Sequence, residues 1–245
     1  MLRSERNLVE HIANQRGYDL AQQSEAGELL LRSSLVPGEV RVSSAGNERF
    51  RLCFNLPAVD KEIRREFTEH LMENELVTRE TGLYTILGRA FELSAALPSE
   101  PLRRFHQAIG NLPSTERHLL TLQRVGQDIF RGALEQYWGN RCAITNVGDR
   151  ELLRASHIKP WAQCASDEER LDVFNGILLA AHLDAAFDKH LMTISSDGLV
   201  QFSPRLSQEA LGVLNPGGGP LVVAVAPSHQ RYLAEHRETF LRAMV

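Results

Sequence analysis

Two hydrophobic periods alternate along the chain and divide it into elements. Residues 2–16 carry apolar side chains at helical intervals and predict a short amphipathic helix. From about 28 to 56 the period changes to two. In EVRVSSAGNERFRLCFNL, Val40 and Val42 share one face, as do Phe50, Leu52 and Phe54, and SSAGN supplies a turn, so the segment predicts a β-hairpin. Its opposite face carries Arg41, Arg49 and Arg51, either as a solvated strand face or as a basic ribbon touching phosphates. Helical spacing returns over 58–75 through Val59, Ile63, Phe67 and Leu71. Two more helices are predicted over 83–97 and 101–110, punctuated by Pro98 and Pro101. NLPST at 111–115 reads as a linker, with Ser114 or Thr115 capping a helix from about 115 to 138 that stops at Gly139-Asn140. The pattern therefore predicts an α+β N-terminal domain over 1–112 and a second domain over 113–245.

The second half has a different character. RCAITN reads as a short apolar strand with a turn at Asn146 to Gly148, and ELLRASHI as a second strand. KPWAQCASDEERLDVF reads as a polar loop, and NGILLAAHLDAAFDKH as a compact unit of turn then helix. LMTISSDGLVQFS predicts a hairpin turning at Asp197-Gly198. NPGGGP at 215–220 is a flexible loop, and SHQRYLAEHRETFLRAMV a closing helix with Ser228 as its cap.

Composition narrows the function classes. A chain of 245 residues, 43% hydrophobic and 24% charged, has the balance of a soluble globular protein. No apolar run approaches the roughly 20 residues that span a bilayer, and MLRSERNLVEHIANQ lacks the apolar core of a signal peptide. The expectation is a cytoplasmic protein with no membrane partner. Cys53, Cys142 and Cys164 form no C-x-x-C pair, which argues against a disulfide framework and a four-cysteine zinc site. The net charge of −4 lacks the basic excess usual in nucleic-acid binders. A grip on DNA would then need a local basic surface, the N-terminal region or a second subunit.

One ordered set of residues carries chemistry: His157 in RASHIKPW, Asn175-Gly176, His182-Leu183-Asp184 and Phe187-Asp188. With YWGNRCAITN and the lead-in VGQDIFRGALEQYWG, the stretch from about Gln123 to Ser203 resembles the HNH endonuclease family, in its restriction endonuclease branch. The resemblance implies an α+β chain whose C-terminal domain has the ββα-metal fold. It implies a metal-dependent endonuclease that hydrolyses DNA phosphodiesters, double-stranded DNA as partner, and a role in restriction or other defence. Such hydrolysis needs an activated water and a divalent ion to neutralise charge at the phosphate and the leaving oxygen. A histidine can take a proton from water at neutral pH, and the family makes His157 that base. Asn175 is then the residue that ties the loop together and orients the histidine, a role compatible with capping or turning the chain.

The same resemblance makes His182 and Asp184 metal ligands, with Asp188 a third ligand or a partner of one. Many relatives read Asp-x-His before the Phe-Asp, whereas here His182 precedes Asp184. Two positions on a helix are about 200° apart, so either the helix starts later or only one of the two binds the ion directly; Asp188, four positions beyond Asp184, shares its face. Mg²⁺ or Mn²⁺ suits oxygen ligands, and an imidazole also admits Zn²⁺, Ni²⁺ or Co²⁺. Ser156 stands where many relatives place a ligand next to the catalytic histidine. Arg154 and Lys159 flank His157 and are candidates, with Arg41, Arg49 and Arg51, for contact with DNA phosphates. Trp161 reads as a packing residue, and His190, His229 and His236 have no partner pattern. Paired cuts on two strands favour a homodimer, and the N-terminal domain reads as a target-recognition or interaction module. The alternative to the enzyme is an HNH scaffold that binds DNA or protein without cutting.

Overall fold

The computed structural model describes residues 1–97, 99–109 and 116–243, with side chains throughout except at 116–122. Pro98 and the expected linker 111–115, with its candidate caps Ser114 and Thr115, lie outside the described residues. The chain forms two compact units, Met1–Glu100 and Pro101–Val245. Among the described residues no helix is long and apolar enough to cross a membrane.

The first unit is an antiparallel sheet covered by helices. After α1 (Arg3–Gln15) come β1 (Leu20–Gln23), β2 (Leu29–Arg32), β3 (Glu39–Ser44) and β4 (Phe50–Phe54), then α2 (Pro57–Glu66), β5 (Leu71–Met72), β6 (Glu75–Thr78) and α3 (Glu80–Ala96). The sheet order is β1-β2-β3-β4-β6-β5. The expected hairpin is present, with Val42 opposite Leu52 and Val40 opposite Phe54. Alternation puts Leu29, Leu31, Val40, Val42, Phe50 and Leu52 into the core with Val9, Ile12, Ile63 and Leu83 of the helices. The helix expected over 58–75 stops at Glu66, because Leu71 is recruited as a strand residue opposite Leu76. The arginines differ in circumstance. Arg41 is exposed, Arg51 pairs with Glu75 at 2.7 Å, and Arg49 lies in the hairpin turn against the Met72 sulfur.

The helix α4 (Ser99–Ile109) runs across the division between the units, and α5 (Glu116–Tyr137) follows. The latter stops where Gly139 and Asn140 take φ of +61° and +57°, as a helix stop requires. RCAITN then departs from its expected strand. Asn146 N–H bonds the Cys142 carbonyl at 3.0 Å, closing a turn, and Ala143 N–H bonds the Leu178 carbonyl at 2.8 Å. The buried Cys142 sulfur accepts from the backbone N–H of Ala180 (3.2 Å) and Thr145 (3.4 Å).

Next come β7 (Leu153–His157), α6 (Asp167–Leu171), β8 (Gly176–Ala180) and α7 (Ala181–Asp188). β7 and β8 pair antiparallel from Leu153–Ala180 to His157–Gly176, and α7 follows at once, so the core of this unit is ββα. NGILLA is thus a strand before the helix rather than a turn. All five residues of β8 are buried, and a strand covered on both faces shows no alternation in its sequence. β9 (Met192–Ile194) and β10 (Val200–Phe202) form the expected hairpin, with Gly198 at φ +87° in its turn. The unit closes with α8 (Gln208–Leu214) and α9 (Gln230–Arg242). Ser228 does not cap this last helix. The backbone N–H of Ala226 instead bonds Nδ1 of His229 at 3.1 Å, and a short 3-10 turn leads into α9. The whole chain is α+β, with the ββα core in its C-terminal half.

Candidate active site

His157 is the last residue of β7, where the paired strands end and the chain leaves for the loop to α6. Its ring is held on three sides. Phe130 of α5 stacks on one face, with centroids 3.7 Å apart and planes within 17°. Trp161 presents an edge at 5.6 Å. The third contact is polar, with Nε2 lying 2.9 Å from the backbone carbonyl oxygen of Arg170. A carbonyl only accepts, so Nε2 carries the proton and Nδ1 the lone pair. Burial pushes the ring's pKa down to about 4, against a smaller opposing effect of that carbonyl, and the imidazole is neutral at physiological pH.

Two glycines make this packing feasible. A Cβ on Gly176 would stand 2.5 Å from the Phe130 ring and 2.7 Å from a Leu134 methyl, and one on Gly126 would stand 2.4 Å from Trp161. Both aromatic walls of the histidine therefore rest against bare backbone.

The carbonyl that fixes the ring belongs to a loop gathered around Asn175, whose side chain is fully buried. Its Oδ1 accepts from Lys159 N–H at 2.8 Å, and Nδ2 donates to the Glu169 carbonyl at 3.0 Å and to the Cys164 sulfur at 3.3 Å. The Asn175 carbonyl accepts from Ile158 N–H at 2.9 Å. From the other side the Arg170 guanidinium bonds the Cys164 carbonyl at 2.9 Å and the Trp161 carbonyl at 3.4 Å. The loop from Lys159 to Arg170 is thus stapled to the strand that precedes it and the one that follows.

His157 opens onto a cavity of about 350 Å³. Ser156, Trp161, Asp184, Asp188 and His190 are among its other lining residues. The helix α7 supplies both aspartates from one face, as their spacing requires. Ser156, 2% exposed, donates its hydroxyl to Oδ1 of Asp184. Partial burial, and then the Asp184 charge, push the Asp188 carboxyl above the usual carboxylate range. A cation between the two would relieve that repulsion.

His182, expected beside Asp184, is exposed and is not among the residues lining the cavity. The helix begins at Ala181, so the two positions point apart. Among the described residues, no group of three or more His, Cys, Asp or Glu side chains is arranged to hold a metal ion. Lys159 pairs with Glu169 at 2.9 Å, which commits its charge within the loop. Arg154 is exposed, and its guanidinium bonds only the backbone carbonyls of Glu151 and Leu153 among the described residues. Sequence reasoning missed Arg170, Phe130 and His190. Arg170 acts through a backbone oxygen and Phe130 through distance in the fold, neither of which leaves a motif.

Residues 142–195 match the family model described as HNH endonuclease. The match holds the cysteine turn, β7, β8, α7 and β9, and with them His157, Asn175, Asp184, Asp188 and His190. The comparison with curated proteins returned no match.

Proposed function

We propose that the second unit is a metal-dependent endonuclease that hydrolyses DNA phosphodiester bonds, with His157 as its general base. The observation that carries this reading is the Nε2 to Arg170 carbonyl bond, made beside a cavity that also holds two carboxylates. A neutral imidazole with its proton fixed on the far nitrogen offers its lone pair to water. When Nδ1 takes a proton from that water, the ring becomes cationic and its bond to the carbonyl becomes charge-assisted and stronger. Phe130 and Trp161 keep the ring from turning away. Asn175 acts by holding the loop that supplies the carbonyl.

The donor set fits a divalent ion. Asp184 and Asp188 offer hard oxygens, Ser156 fixes one of them, and the Asp184 charge adds to burial in raising the Asp188 carboxyl. Magnesium and manganese suit such a site, since they are commonly held by one or two carboxylates, with waters and substrate phosphate completing the shell. Bound there, the ion supplies charge neutralisation at the phosphate and the departing oxygen. We assign the ion to Asp184 and Asp188, and leave His182 outside the site.

We place the protein in restriction or another defence system on the motif order alone, with duplex DNA as substrate. The first unit then serves target reading or interaction, and exposed Arg41 is its candidate phosphate contact. The test is plasmid DNA, modified and unmodified, incubated with Mg²⁺, Mn²⁺ or EDTA. Metal-dependent nicking that disappears in His157→Ala is the expected result. No nicking on any substrate rejects the enzyme, and nicking that survives His157→Ala rejects the base.

A further inference from the structure

We propose that His190 is a second histidine of the reaction site, whose ring donates a hydrogen bond to an oxygen of the bound phosphodiester. The proposal rests on the endonuclease reading above. His190 lines the cavity that holds His157, Asp184 and Asp188. Its Nδ1 is buried without a hydrogen-bond partner among the described residues. The neighbouring histidines differ. His157 bonds the Arg170 carbonyl, and His236 bonds the Thr193 hydroxyl at 2.9 Å and the Phe187 carbonyl at 3.1 Å. Buried polar groups are nearly always paired, so a ring that leaves its buried Nδ1 bare is not placed here to complete a structural hydrogen bond.

The backbone at this position does not call for an imidazole. His190 has φ +49°. Its N–H bonds the Phe187 carbonyl at 3.0 Å, and Leu191 N–H bonds the Ala186 carbonyl at 2.8 Å. This is the turn that ends α7, and glycine is its usual occupant. The side chain is therefore additional to what the turn needs. His236, fixed by its own two bonds, packs against the ring with centroids 4.5 Å apart.

With Nδ1 buried, Nε2 is the nitrogen left to meet a ligand. As an N–H it matches an anionic phosphate oxygen, the acceptor type that makes the stronger hydrogen bonds. The cavity's other groups are committed. Asp184 and Asp188 only accept, the Ser156 hydroxyl is used by Asp184, and His157 presents a lone pair. Lys189 at the same cavity is exposed and brings charge without a fixed direction.

Two variants test the proposal, because both suit a positive φ: His190→Gly removes the ring and His190→Asn keeps a donor. Binding of a short duplex is measured with Ca²⁺ as the ion, alongside thermal melting and plasmid cleavage with Mg²⁺ or Mn²⁺. The Gly variant is expected to bind about tenfold more weakly, as loss of one hydrogen bond to a charged group implies, with its melting temperature unchanged or raised. The Asn variant is expected to recover part of the affinity. Binding by the Gly variant equal to that of wild type overturns the proposal, and so does a lowered melting temperature that accounts for the weaker binding. If no form of the protein cuts plasmid, the endonuclease reading fails while the binding comparison still decides the role of His190.

Discussion

The Ser156 hydroxyl donates to Oδ1 of Asp184, tying the end of β7 to the face of α7 that looks into the cavity. The serine next to His157 is thus engaged in orienting a carboxylate. Fixing a ligand in this way typically changes metal affinity 10- to 100-fold. Ser156→Ala is expected to raise the half-saturating Mg²⁺ or Mn²⁺ concentration about tenfold, with cleavage at saturating metal within a few-fold of wild type. A metal titration of plasmid nicking measures this, and an unchanged titration curve counts against Asp184 as a ligand.

Asn175→Ala removes the hub of the loop and strands the Lys159 N–H and the Glu169 carbonyl. Each buried group left unpaired costs about 1–3 kcal/mol. The variant is expected to melt several degrees lower and to lose at least a hundredfold in single-turnover cleavage. Full cleavage in a folded Asn175→Ala protein would show that the loop does not need this side chain.

Gly176→Ala drives a methyl into Phe130 and Leu134, which stand 2.5 and 2.7 Å from the site of its Cβ. Phe130 cannot retreat and remain stacked on His157. Overpacking of this kind costs about 1–3 kcal/mol. Stability and cleavage are expected to fall together, and Phe130→Leu in the same background is expected to recover more stability than activity. Melting curves and cleavage rates for the pair provide the check.

The pH dependence of stability follows from two neutral histidines. Burial pushes His157 and His236 down to about 4, from about 6.5 in the unfolded chain. Between those values the unfolded chain binds more protons, so stability rises with pH from about 4 to about 6.5 and levels off above. Each ring contributes at most about 3 kcal/mol across that window. Urea midpoints at pH 7.5, 5.5 and 4.5 test this, with a shallower slope expected for His236→Gln; an identical slope removes His236 from the account.

For DNA contact, charge commitment separates the arginines. Arg154 is exposed and, among the described residues, has no carboxylate partner, whereas Arg51 is paired with Glu75 at 2.7 Å. Arg154→Ala is expected to weaken duplex binding and reduce the slope of log affinity against log salt by about one. Arg51→Ala is expected to leave the slope unchanged. Binding isotherms at four salt concentrations distinguish the two.

The sequence was legible where function and period coincide. The β3–β4 hairpin alternates and folds as read, and the order His157, Asn175, Asp184, Asp188 points to one region. β8 escaped because a strand buried on both faces has no period to see. RCAITN escaped because a short apolar run is equally compatible with a turn whose side chains are buried by neighbours. That Asp184 lines the cavity and His182 does not follows from the starting residue of α7, and a helix boundary leaves little trace in the hydrophobic period. His190 carries no pattern at all, since what marks it is an unpaired nitrogen.

The acceptor that fixes the proton on His157 is the backbone oxygen of residue 170, and this has a consequence for how the site can vary. No side-chain replacement at 170 deletes that oxygen. The tautomer is encoded by the route of the chain, so it tolerates change in the loop's side chains and is vulnerable to changes in its length. A single-residue deletion between Cys164 and Arg170 would carry the oxygen away and leave the imidazole free to choose its proton, while every residue of the motif stayed in place.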